Sequence, residues 1–196
     1  MVTQQKGNGR ANALKGELVV HLEESSTAPV EAVYDLLADI RSHLEWGGNR
    51  QKENYRLLSI EAPEGPASVG TEFRSTGADP MGRFSDSSVV TEASRPSLFE
   101  FVTEARHSLK KGKVIEWTSI HRYELGRNGE GCRVSYTLRT VRISEMPGAL
   151  SMFNVPGLRS LGLRMGGGNL RKGLRNLVRM AQEHAGTSPA SGRRDG

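Results

Sequence analysis

With 196 residues the chain suits one domain, with room for a single core and a cavity. A lone cysteine, Cys132, excludes an internal disulfide framework and a cysteine-clustered zinc site, and no run of about 18 apolar residues is present to span a membrane as a helix. The net charge of +5 is uneven: residues 1–16 carry three bases and no acid, 146–182 carry six bases and no acid, and 17–145 carry 16 bases against 20 acids, so the body is mildly acidic and its ends are basic.

The opening "MVTQQKGNGRANALK" and the closing "GTSPASGRRDG" are small and polar, and neither can bury enough apolar surface to offset the entropy of ordering. They are read as disordered tails, 1–15 and 186–196, around one domain over 16–185. The opening stretch also lacks the apolar run of a secretory signal, so a soluble cytoplasmic protein is expected. Neither a metal nor a cofactor is expected.

In chain order, "GELVVHLEESS" alternates apolar and polar residues, which predicts a half-buried strand. "TAPVEAVYDLLADIRSHLEW" then predicts a helix, with Thr27 as N-cap, Pro29 in the first turn, and Val30, Val33, Leu36 and Leu37 at helical spacing. Gly47, Gly48 and Asn49 break the chain after a second helical turn. Six strands follow over 52–61, 69–78, 83–93, 97–107, 113–125 and 131–143. Their short links require antiparallel pairing, because parallel neighbours need long crossovers.

Past Ile143 the alternation stops. Leu170, Leu174, Leu177, Val178 and Ala181 form one helical stripe, with Arg171, Lys172, Arg175, Arg179 and Gln182 around the rest of the circumference. The stripe must be laid on the inner face of the sheet. Gly166, Gly167 and Gly168 lack the spacing of a phosphate loop and are read as a hinge ahead of Asn169 as N-cap.

These pieces in this order resemble the helix-grip fold of the START-like (SRPBCC) superfamily, and within it the bacterial polyketide cyclase/dehydrase branch. The resemblance rests on "APVEAVYDLLADIRSHLEW", "VGTEFRSTG", "VVTEASRPSLFEF", "WTSIHRYEL", "GCRVSYTLR" and the final amphipathic helix, and it spans 17–184. It implies an α+β architecture: a curved antiparallel sheet of about seven strands wrapped around a long C-terminal helix, with two short helices after the first strand. It further implies a cavity between sheet and helix for a small hydrophobic or amphipathic molecule such as a lipid or polyketide. "SEMPGALSMFNVPGLRSLGLRMGGG" is longer than a typical lead-in to that helix.

Strand alternation gives the lining independently. On 113–125 the inner face reads Ile115, Trp117, Ser119, His121, Tyr123, Leu125; on 97–107 it includes Phe99, Phe101, Thr103 and Ala105; on 131–143 it includes Cys132, Val134, Tyr136, Leu138 and Thr140. Phe73, Leu170 and Leu174 complete the expected ligand-binding set of Phe99, Phe101, Trp117, Ser119, Val134 and Tyr136. Aromatic area supplies affinity and sparse polar groups supply orientation.

His121 and Tyr123 lie two apart on one face, about 7 Å along the strand. A histidine shuttles protons near neutral pH and a phenol stabilises an enolate, the needs of ring closure with dehydration. The alternative makes both ordinary inward residues. His43, Glu45, Trp46 and Asn49 rank lower, as a segment edging the cavity or a surface helix end. His21, His107 and His184 have no metal-ligand spacing. Asp79, Asp86, Ser85, Ser87 and Ser88 are read as serving the turn in "DPMGRFSDSS".

Three functions stay open: a binding or carrier module for a small hydrophobic ligand, a polyketide cyclase, aromatase or dehydratase using His121 and Tyr123, and a regulatory protein meeting anionic membrane or nucleic acid through the basic segment 157–180. No specific nucleic-acid partner is expected, and the chain is read as a monomer or homodimer.

Overall fold

A computed structural model describes residues 14–51, 56–80, 82–109, 112–145, 154–155 and 158–187, with backbone alone over 158–166. The elements are β1 (Leu18–Ser26), α1 (Val30–Ala38), a 3-10 turn (Ile40–Ser42), a π turn (Glu45–Asn49), β2 (Arg56–Glu61), β3 (Glu72–Asp79), β4 (Gly82–Ser94), β5 (Leu98–Leu109), β6 (Val114–Asn128), β7 (Gly131–Ile143) and α2 (Leu158–Thr187). The start of the expected strand 52–61 and residues 146–153 and 156–157 of the long lead-in fall outside the described residues, as do 1–13 and 188–196 of the expected tails, while 158–168 of the lead-in already belong to the last helix.

The seven strands form one sheet in the order β1-β7-β6-β5-β4-β3-β2, antiparallel throughout. Each of the long central strands pairs with its sequence neighbour, as short links require. Register slips between Leu57 and Ser59, Val90 and Glu92, and Thr118 and Ser119 mark β-bulges, which bend a strand and increase its twist. The sheet thereby acquires a concave face. One residue in two along each strand points into it: Phe73 and Ser75 on β3, Phe84, Asp86, Ser88 and Val90 on β4, Phe99, Phe101 and Thr103 on β5.

Thr27 does not cap α1. The helix begins at Val30 with Pro29 in the cap position, while the Ser26 hydroxyl accepts a hydrogen bond from the Ala28 N–H at 3.0 Å. Ser26 closes the β1 ladder with its backbone and serves the bend with its side chain, and the pre-set φ of Pro29 starts the helix without a side-chain cap. The glycine trio is not a hinge either. α2 runs unbroken for 30 residues through Gly166, Gly167 and Gly168, and Asn169 lies inside it rather than at its cap. Each glycine costs a helix about 1 kcal/mol relative to alanine, but extension of a helix already nucleated on both sides offsets that loss.

α2 presents Leu174, Leu177, Val178, Met180 and Ala181 to the core, where they meet α1 (Val33, Leu37), β1 (Leu22) and the π turn. Its C-terminal half is tied down by Arg50, which bonds both oxygens of Glu183 at 2.8 and 3.1 Å, and by the Asn176 amide, which donates to the Trp46 carbonyl at 3.1 Å. Arg171 and Arg175 reach Glu24 on β1 at 3.5 and 3.0 Å. Part of the basic face is thus neutralised by the body. Among the described residues no helix is long and apolar enough to cross a membrane.

Leu174 is 3% exposed whereas Arg175 is open to solvent. Leu174→Asp is expected to destabilise by about 3 kcal/mol or more by burying an unpaired charge, and Arg175→Ala by about 1 kcal/mol or less. Denaturant unfolding of both variants measures this, and equal losses would contradict the packing of α2.

Candidate functional site

Between the middle turns of α2, at residues 169–174, and the concave face lies a cavity of about 280 Å3. Its walls come from β2 to β7, the π turn and α2, so residues far apart in sequence converge on it. Nine residues expected at the site line it: Phe73, Phe101, Trp117, Ser119, His121, Tyr123, Tyr136, Leu170 and Leu174. Phe99 and Val134, also expected there, are fully enclosed in the core behind the wall and do not line the cavity. His21 and His184 lie away from it, and among the described residues no three His, Cys, Asp or Glu side chains gather as metal ligands.

One part of the cavity is aromatic. The His121 ring stacks on Phe101 with centroids 4.6 Å apart and 7° between planes, and Tyr123 stacks on Tyr136 at 4.6 Å. His121 Nδ1 and the Tyr136 hydroxyl are 2.9 Å apart, the donor being fixed by the histidine tautomer, and the Tyr136 ring in turn lies against Tyr123. The three side chains therefore form one connected chain. His43 faces the same Phe101 ring at 6.2 Å and packs on Trp46 at 4.7 Å. Its Nε2–H donates to the Leu37 carbonyl at 2.8 Å, which holds the ring in place.

Across the strands from this cluster runs a set of hydroxyls. Ser88 and Thr103 are 2.9 Å apart, and Ser119 and Thr140 are 3.2 Å apart, each pair satisfied across a strand boundary. The Ser75 hydroxyl donates to Asp86 Oδ2 at 3.2 Å, while Asp86 Oδ1 meets no hydrogen-bond partner among the described residues. Beyond them Phe84 lies over Gly77, whose missing Cβ leaves the room the ring occupies; any side chain there would collide with it. Phe84, His107 and Trp117 then stack in series at 6.3 and 5.4 Å.

Low dielectric controls ionisation here. Burial drives the His121 imidazole down to about 3, with a smaller push from His43, and drives His43 down to about 4 against the pull of its bond to Leu37. Both rings are neutral at physiological pH. Burial pushes the Tyr123 phenol up and lifts the Asp86 carboxyl to about 7, the Ser75 hydrogen bond opposing the latter. Cys132, raised by burial in the core, is an inert thiol.

His43 and Trp46, which rank low on sequence grounds, and Asp86 and Ser88, expected to serve a turn, all line the cavity. The signal for the last two was present: Phe84, Asp86, Ser88 and Val90 continue one alternation, and the apolar ends of that series fix its inward direction. The turn is confined to the residues before Gly82, where Asp79 accepts from the Gly82 N–H at 2.9 Å.

No family model and no curated protein matches the chain. Solved structures do. An uncharacterized protein from Rhizobium leguminosarum superposes with a TM-score of 0.60 at 14% identity, over 87% of this chain and 97% of that one. A protein from Thermus thermophilus gives 0.54 at 19% identity, over 85% and 99%, and Ara h 8.0201 gives 0.52 at 12%, over 86% and 99%. The chain has the helix-grip fold. At such identities the likeness carries architecture, and the chemistry of this helix-grip cavity must be read from its own side chains.

The pKa values give stability a pH signature. Asp86 is raised from 3.8 to about 7 on folding, so the folded state binds more protons in that window and stability from this group falls as pH rises through it. The melting temperature of Asp86→Asn minus that of the native protein should therefore be larger at pH 8 than at pH 5, by a few degrees. His43 and His121, lowered from 6.5, act oppositely, and their contribution is lost as pH falls from 6.5 towards 4 and 3. A pH-independent difference for Asp86→Asn would show that the carboxyl is not held in the cavity as described.

Proposed function

We propose that this protein binds a small hydrophobic or amphipathic molecule, lipid-like or polyketide-like, in the cavity under α2, and that it works as a carrier or binding module. The observation that carries the reading is the lining: stacked aromatic rings on one part of the wall and aliphatic side chains such as Leu57, Ile60, Leu138 and Leu170 elsewhere, with hydroxyl pairs and one carboxyl among the polar groups. A volume of about 280 Å3 corresponds to roughly nine liquid waters, room for a compact molecule or a short chain. The order of elements supports placing the chain beside the polyketide cyclase/dehydrase branch.

The connected His121, Tyr136 and Tyr123 favours a second reading, a cyclase or dehydratase with His121 as base and Tyr123 as acid. Against it stands basicity. An imidazole held near 3 is a weak base at neutral pH, where proton transfer is best served by a group titrating near the working pH. A reading in which the basic segment meets an anionic surface is weakened by Glu24, which already engages Arg171 and Arg175.

The test uses N-phenyl-1-naphthylamine, whose fluorescence rises on leaving water. Trp117→Ala should weaken its binding by about 30-fold, the loss of roughly 2 kcal/mol of aromatic contact, and His121→Gln should change it little. Unchanged affinity in Trp117→Ala would contradict binding at this wall. Turnover of a poly-β-ketone that falls about 100-fold in His121→Gln and Tyr123→Phe with binding retained would establish the enzyme instead.

A further inference from the structure

Asp86 stands out among the polar groups of the cavity. It sits on the inner alternation of β4 between Phe84 and Ser88, lines the cavity, and keeps part of its surface open. Its strand neighbours are Ser75 on β3 and Ala105 on β5, and only the serine can bond to it. The arginines on the flanking strands, Arg74 and Arg106, are exposed on the opposite face, and among the described residues no Lys, Arg or His forms an ion pair with this carboxyl. The other hydroxyls nearby are already paired with one another. One carboxylate oxygen is therefore left without a donor among the described residues, a state that costs free energy until a donor arrives.

A purely structural partner for Ser75 would not need a carboxyl, since an amide oxygen accepts the same bond. Nor does any cation within the described residues explain the charge. The terminal torsion of an aspartate is soft, so either oxygen can turn towards the cavity at small cost. These observations concern the ligand rather than the fold.

We propose that Asp86 is the recognition group of this cavity, accepting a hydrogen bond from a hydroxyl or amine head of the ligand while the apolar body extends towards Phe101 and Tyr136, and discriminating against ligands headed by a carboxylate. The inference rests on the reading of the cavity as a ligand site. A carboxylate head would meet a second acceptor of like charge and find no cation to receive it. An amine or hydroxyl supplies the missing donor, and the charge-assisted bond is the stronger for being desolvated. The raised affinity of the carboxyl for a proton, to about 7, is what an acceptor lacking a partner shows before its ligand arrives.

The experiment is displacement of bound N-phenyl-1-naphthylamine at pH 8 by three ten-carbon amphiphiles, decylamine, 1-decanol and decanoate. In the native protein decylamine and decanol should displace the probe at concentrations about tenfold or more below those needed for decanoate. Asp86→Asn, which keeps an acceptor but loses the charge, should shrink the decylamine-to-decanoate ratio by about tenfold. Asp86→Ala should remove the preference for decanol as well. Equal displacement by decanoate and decylamine in the native protein overturns the proposal even if neither variant folds. An unchanged ratio in a folded Asp86→Asn variant also overturns it while leaving the cavity reading intact. Absence of probe binding to the native protein would instead bring down the cavity reading itself, and this proposal with it.

Discussion

The structure depends on how one long helix buries its stripe. Leu174, Leu177, Val178 and Ala181 need an apolar surface, and they find it at one side of the sheet, over β1, α1 and the π turn. The concave face is wider than the helix, so packing against β1 leaves the helix standing off from β3 to β6. That mismatch makes the cavity. Closing it would require either larger inward side chains on the central strands or a sheet bent less by its bulges, and the inward series instead carries Ser75, Ser88, Thr103 and Ser119 among its aromatics.

Small polar residues on an inner wall are costly unless their hydrogen bonds are made. The protein satisfies most of them across strand boundaries, Ser88 with Thr103 and Ser119 with Thr140, and it keeps both imidazoles neutral through burial. Aromatic stacking from Phe101 through His121, and from Tyr136 to Tyr123, makes the other side rigid. Two groups of the lining are exceptions among the described residues: Asp86, with one oxygen bonded to Ser75 and the other unmatched, and the Trp46 indole N–H, which meets no acceptor.

Much of this was legible in the residues. Alternation set the inward faces of β5, β6 and β7 from Phe99 to Tyr136, and helical spacing set the stripe of α2, because both signals are local periodicities imposed by burial on one side. What failed was local chemistry overruled by context. The glycine trio reads as a break, yet helix on both sides carries it, and Thr27 reads as a cap, yet Ser26 and Pro29 shape the start of the helix. Phe99 and Val134 have the right facing and the wrong depth, since alternation gives a side of the sheet but not the distance from the helix above it. His43 belongs to a turn whose direction only the tertiary packing of Trp46 and Phe101 decides.

The two tryptophans of the chain, Trp46 and Trp117, both line the cavity, so their fluorescence reports contact with whatever occupies it. Bromine quenches tryptophan only at near contact, so titration with 10-bromo-1-decanol reads occupancy of the space under α2. A ligand seated under α2 gives saturable quenching of tryptophan emission that is reversed by unlabelled 1-decanol. Binding of the bromoalcohol with tryptophan emission unchanged, or quenching that rises without saturating, would contradict a ligand site under α2.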